Sequence, residues 1–180
     1  ISTTNGTRIA RCVFSGNMEA VGIFGGSLVE ECVFYGNNKG SVTNIDQVSV
    51  VRNTVIADSW ADYYFEGVSL ADVVEGCTVC LHDFDSRWTV QSSDFYHNRL
   101  VRDCVVYDNN ASNLIEYAYD NNASVVGCVA CKVHGVGFYA SSFLAGSGGR
   151  WAYCAARSNS TPAYSLPQTR VLVERCLAAR

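Results

Sequence analysis

Proline is almost absent from this chain, with two residues in 180, and methionine occurs once. So little proline, with 48% apolar and only 17% charged residues, excludes a polyproline spacer and a disordered tether. Lysine is confined to Lys39 and Lys132, and 13 basic residues face 17 acidic ones, for a net charge of −4. No basic patch stands out, so a nucleic-acid partner is not expected. No run approaches the ~18 to 20 apolar residues of a membrane-spanning helix, so no membrane span is expected either. The opening residues, ISTTNGTR, have no signal-peptide pattern, and Ile1 stands where Met would begin a complete chain. We therefore expect a segment of a larger protein, with residues 1–180 forming a single domain undivided by any Pro- or Ser-rich linker.

Leucine is sparse, whereas valine is plentiful and ten Tyr accompany eight Phe, a balance that favours strands over helices. One phrase is written twice: IARCVFSGN (Ile9 to Asn17) returns as VEECVFYGN (Val29 to Asn37). Aligned on their Cys, worn copies continue through anchors Cys12, Cys32, Asn53, Cys77, Cys104, Cys128, Cys154 and Cys176. The residue three before each anchor is apolar: Ile9, Val29, Val50, Val74, Val101, Val125, Trp151 and Val173. The residue two after is apolar or small, from Phe14 and Phe34 through Val55 and Val79 to Ala178. Five after come Asn17, Asn37, Asp58, His82, Asn109, Val133 and Asn159, all but one polar and suited to a corner.

A repeat of this length signals a solenoid, whose units cannot bury their apolar face alone and so stack on one another. A leucine-rich repeat shares the spacing, but it would repeat leucine and place another apolar residue two after the Asn. Those positions hold Glu19, Lys39, Trp60, Ala111 and Thr161. Between anchors lie short, Gly-bounded, β-rich pieces such as YYFEGVSL (Tyr63 to Leu70) and NLIEYAY (Asn113 to Tyr119), which read as further strands. The expected fold is all-β: a single-stranded parallel β-helix of about eight rungs of 20–27 residues. Strand parity turns each anchor and the residue two beyond it inward, so the thiols form an internal column, with Asn amides stacked in a ladder at the next corner. Nine cysteines leave one unpaired in any disulfide scheme, and neighbours in a column have near-parallel Cβ vectors, a poor geometry for bridges. Cys77-x-x-Cys80 and Cys128-x-x-Cys131 have the spacing of zinc half-sites, but parity points Cys80 and Cys131 outward and places them two rungs apart. No metal site is expected.

The pieces CVFSGN, CVFYGN and CVVYDN (Cys104 to Asn109) resemble the right-handed parallel β-helix repeats of the pectate-lyase-like superfamily. Phe14 to Asn17 and Phe34 to Asn37 resemble repeats of bacterial surface adhesins, and CVACKVHGVGFYAS (Cys128 to Ser141) resembles polysaccharide-lyase β-helices and phage tail-spike shafts. The resemblance covers about residues 8 to 180. It implies an extracellular, cell-surface or virion location, and it carries fold more firmly than activity, since one scaffold hosts many functions.

Lyases of that superfamily use Ca²⁺ held by clustered Asp, with a Lys or Arg base, which makes Lys132 a weak catalytic candidate, with Asp108 at the same position one rung earlier. Ca²⁺ is expected only if the protein is a lyase; otherwise no cofactor is. A hydrolase needs two carboxyl groups ~5 to 5.5 Å or ~6.5 to 9.5 Å apart, and Asp58, Asp83 and Asp108 at neighbouring corners are the candidates. Asp is also a common turn residue, so corner chemistry without catalysis accounts for most of them. Three inserts, around DSWADYYFEG (Asp58 to Gly67), HDFDSRWTVQSSDFYHN (His82 to Asn98) and NNASNLIEYAYDNN (Asn109 to Asn122), place aromatics beside acids and amides. Trp60, Tyr64, Trp88, Tyr96 and Tyr117 are the candidates for an exposed glycan-binding face, and packing of the inserts onto the rod explains most of the other aromatics. The leading expectation is a non-catalytic stalk or adhesin that binds a glycan or cell surface. A polysaccharide lyase or hydrolase is the alternative, and a purely structural assembly segment the third reading. A solenoid stopping at Arg180 leaves an open strand edge, so flanking domains or another subunit, in a homo-oligomer or otherwise, are expected to cap it.

Overall fold

A computed structural model describes residues 6–16, 23–24, 28–37, 41–59, 64–81, 83–84, 91–111, 115–135, 141–157, 164–165 and 172–179. These residues form strands, turns and bends with no helix, and every strand pairing is parallel. The chain is an all-β parallel β-solenoid.

Three columns of strands build it. The strand after each anchor belongs to the anchor column: Val13–Ser15, Val33–Tyr35, Val55–Ala57, Thr78–Cys80, Val105–Ala111, Val129–Gly135, Ala155–Arg157 and Leu177–Ala179. The strand before each anchor belongs to a lead-in column, with Arg8–Ala10, Leu28–Glu30, Val50–Arg52, Val73–Glu75 and Leu100–Arg102. A far column holds Ile23–Phe24, Ser41–Asp46, Tyr64–Ser69 and Gln91–Tyr96. The long strands Ile115–Val126 and Ser141–Ala152 each run through both the far and lead-in columns, which joins these two into one 13-stranded sheet.

Every anchor is preceded by a residue with positive φ: Arg11, Glu31, Asn53, Gly76, Asp103, Gly127, Tyr153 and Arg175. Each such corner costs about 1–2 kcal/mol for a residue with a Cβ, and two features offset it. The corner amide donates to the next level, as Asn53 does to the Glu75 carbonyl at 2.9 Å and Asp103 to that of Val126 at 3.0 Å. The anchor side chain then donates to the carbonyl two residues back, at 3.3 Å for Cys12, Cys32 and Cys128, 3.2 Å for Cys104 and 3.5 Å for Cys176.

The third anchor is Thr54, not Asn53. Val55 pairs with Val33, and the Thr54 carbonyl accepts from Thr78 at 3.0 Å, as the Cys32 carbonyl does from Val55. The Thr54 hydroxyl donates to the Arg52 carbonyl at 3.1 Å, the bond a thiol makes elsewhere. The inward residues of that level are therefore Val51 and Ile56, both fully buried, rather than Val50 and Val55. Asn53 fills the corner before the anchor because Asn tolerates the left-handed conformation.

The interior is apolar and thiol-lined. Cys32, Cys77, Cys104, Cys128 and Cys154 are buried, Cys12 and Cys176 half-buried at the two ends, and all nine cysteines are free. Phe14 stacks on Phe34 with centroids 4.7 Å apart, and Phe95 on Tyr119 at 5.3 Å. Tyr119 crosses the interior, its hydroxyl 2.8 Å from the Cys104 carbonyl and 2.9 Å from that of Val129. The amide ladder stands elsewhere than expected. Asn122 Nδ2 donates to the Phe95 carbonyl at 2.8 Å, its Oδ1 accepts from the Asn98 amide at 2.8 Å, and Asn98 Oδ1 accepts from Ala71 at 2.9 Å. At the corner five after the anchor, Asn37 instead donates to Phe14 and Asn44, while buried Ser59 and Val133 hold the equivalent places.

The lead-in column carries charge on its outer side. Glu30, buried between two arginines, accepts from Arg8 and Arg52, and Arg102 pairs with Glu75 at 2.8 Å and Arg150 with Glu174 at 3.4 Å.

Candidate functional site

Two places bring chemistry together. The first is the corner that closes the anchor strands, four residues after each anchor. Gly16, Gly36, Asp58, Leu81, Asp108 and Lys132 stack there, all with positive φ. Asp58 accepts a hydrogen bond from Tyr35, whose hydroxyl is held above its ordinary range by that bond and by the carboxylate charge. Lys132 follows Asp108 by one level, as the spacing implied. Asp83 is not in this stack: Leu81 stands between Asp58 and Asp108, and Asp83 pairs with Asn110 further along. Asp58 and Asp108 are thus two strand spacings apart, about 9.6 Å between backbones, and do not cluster as a Ca²⁺ site requires. Among the described residues no group of three or more His, Cys, Asp or Glu is placed to hold a metal ion.

The second place lies along the far column. Its strands keep one register throughout, but the pairing is interrupted at one residue each, Asn44, Gly67, Asp94 and Ala118. Gly67 is required there because a Cβ would come within 2.4 Å of the Asp94 carbonyl oxygen. A polar or Tyr side chain stands on each side of the break, three residues apart: Thr43 and Asp46, Glu66 and Ser69, Ser93 and Tyr96, Tyr117 and Asp120. Ser69 donates to Asp46 at 2.7 Å, Ser93 to Asp120 at 2.8 Å and Thr43 to Glu66 at 3.4 Å. Tyr96, stacked on the His97 ring at 4.0 Å, has its hydroxyl pushed above the usual range by burial, then by the charges of Asp120 and Glu66. This strip sits outside the apolar cluster yet is largely withdrawn from solvent; Asp120 and Ser93 are fully buried.

Of the expected glycan-facing residues, Tyr96 and Tyr117 fall on neighbouring strands of this strip. Tyr96 is half-buried, and Tyr117, expected to be exposed, is 8% exposed. Trp60 and Trp88 lie outside the described residues, as does the side chain of Tyr64. Glu66, Ser93 and Asp46 went unnoticed in the sequence because they belong to no contiguous motif. Their signal is a pair of polar or Tyr residues at i and i+3, repeated in four successive copies.

Cys80 points outward by parity but is buried, hydrogen-bonded to Tyr107. Tyr107 also separates it from Cys131, since Cys80, Tyr107 and Cys131 occupy the same position on successive strands. Asn122, the first residue of an Asn-Ala-Ser sequence, is buried in the amide ladder.

No protein-family model matches the chain, and no curated protein or solved structure matches it. No helix among the described residues is long and apolar enough to cross a membrane.

Proposed function

We propose that this chain is a non-catalytic β-helix of the pectate-lyase-like kind, serving an extracellular, cell-surface or virion protein as a rigid stalk that binds glycan along one side. The observation that carries this reading is the far-column strip, where Tyr96 and Tyr117 stand beside Glu66, Ser93 and Asp120. Aromatic rings stack on sugar faces, and half-buried Tyr96 is the ring of this strip that keeps surface in solvent, while the carboxylates around it already accept from Ser93 and Thr43. Titrating intrinsic fluorescence with neutral and acidic oligosaccharides tests it. A saturable change, weakened by Tyr96→Ala, is expected; no response across the panel would sink the glycan role.

An enzyme acting on polysaccharide is the second reading, favoured by Glu66 and Asp120 both bearing on the Tyr96 hydroxyl from two levels apart. They stand two levels apart and also three residues apart along the strands, so their backbones are separated by more than the ~9.6 Å of two strand spacings, and they approach each other only through their reach toward Tyr96. New reducing ends that disappear with Glu66→Gln would establish it over the stalk.

A further inference from the structure

The outward positions of the lead-in and anchor columns carry opposite chemistry. At the first and third positions of its strands the lead-in column bears seven charged residues, joined largely in ion pairs. The same positions of the anchor column bear one, Arg157. The middle residues, such as Phe34 and Val106, enter the core. The first residue is valine in five of the eight anchor strands, with Thr78, Ala155 and Leu177 in the rest. Of the ten exposed large apolar side chains among the described residues, Val13, Tyr35, Val55, Leu81, Tyr107 and Leu177 lie on this face or its corner. A continuous strip of β-branched and aromatic side chains marks an interaction surface rather than scattered exposure.

We propose that this face packs against the same face of a second copy, with the two rods antiparallel. The two-fold axis runs along the strand direction between Thr78 and Val105, the centre of the eight strands. That axis sets the third level of one copy against the sixth of the other. Asp58 then faces Lys132 of the second copy, twice by symmetry, while Tyr35 at the second level faces Arg157 at the seventh. Parallel rods would instead bring each corner against the opposite end of the strand, where Lys132 would meet Gly127 with the Asp103 carboxylate beside it, but Asp108 would face Asp103 of the same level, carboxylate against carboxylate. Charge complementarity at the Lys132 corner thus favours the antiparallel arrangement and its register, while at the opposite rim Arg11, already paired with Glu31, faces Arg175 of the second copy. The strip is about 34 Å long and 10 Å wide by strand geometry. Two such faces bury roughly 700–1,000 Å², short of the 1,200–2,000 Å² of stable complexes, so the dimer forms and dissociates with concentration.

Sedimentation velocity across micromolar to millimolar concentrations tests this. The expected result is a shift from monomer to dimer, weakened at least about tenfold by Val55→Lys with Val105→Lys. Asp58→Lys and Lys132→Asp should each weaken association, and combining them should restore it. The charge variants lie at an exposed corner, so they keep the test decisive if the valine variant fails to fold, as far-UV circular dichroism would show. A chain that stays monomeric overturns the proposal and leaves the face to a different protein. A valine variant that associates like the parent moves the contact to the rod ends and also overturns it. Failure of the paired charge reversal to restore association overturns the antiparallel register.

Discussion

At Cys128 a thiol does what a hydroxyl does at Thr54: each donates to the carbonyl two residues back and fills a narrow, dry position. The position therefore selects a small side chain with one donor rather than sulfur as such. Cys128→Thr is expected to stay within about 1 kcal/mol of the parent, whereas Cys128→Ala, losing both atom and bond, should cost roughly 1–3 kcal/mol. Urea unfolding separates the two, and equal losses would refute the role of the bond. Burial pushes the Cys104 thiol up, and that of Cys154 up to about 12. At pH 8 an alkylating reagent should therefore modify half-buried Cys131 and Cys176 well before these two, as intact-mass and peptide analysis would show. Glu30 behaves oppositely: hydrogen bonds from Arg52, then Arg8, hold its carboxyl below the ordinary 4.5. Its contribution to stability is present above that value and fades as pH falls through the lower folded value. Glu30→Gln should accordingly lower the melting temperature at pH 7, with the gap to the parent closing in strong acid. A gap independent of pH would contradict the ion-pair account.

Elements here are only three residues long in many cases, and corners rather than strand propensity delimit them. Asn53 and Asp103 turn their Oδ1 atoms over the glycine one level on, so a Cβ at Gly76 or Gly127 would lie 2.7 or 2.6 Å from them. With φ of +65° as well, Gly127→Ala should cost about 1–2 kcal/mol, and adding Asp103→Ala should relieve the contact but not the backbone cost. Asn122→Ala should cost more, about 2–4 kcal/mol, because it leaves the Asn98 amide and the Phe95 carbonyl buried without their partner. Unfolding free energies that reverse this order would show the ladder to be dispensable. The corner before each anchor was not legible in the sequence, since Arg, Glu, Asn, Gly, Asp and Tyr all occupy it. What these residues share is a backbone state imposed by the stack, not a side-chain type. That same freedom let Asn53 pass for an anchor.

Across the whole molecule, each level touches chiefly the next, so cooperativity is carried along one dimension. Hydrogen exchange should be slowest at central levels, around Val74 and Val106, and quicken toward Ile9 and Val173, which are less well covered. Uniform protection from end to end would mean that a cap or second copy seals the ends.

The inward column was legible because stacking demands the same kind of side chain at every level, and identical demands leave a repeat in a one-dimensional text. Composition and that repeat sufficed for an all-β parallel solenoid with buried, unbridged thiols. Only the folded chain decided what lies side by side on its surface. Asp83 left the corner because strand pairing, not sequence spacing, sets the level each residue occupies. Glu66, Ser93, Tyr96 and Asp120 meet because four far-column strands stack in register with their pairing interrupted at the same place. Residues more than twenty apart become neighbours at about 4.8 Å, a proximity no local pattern encodes.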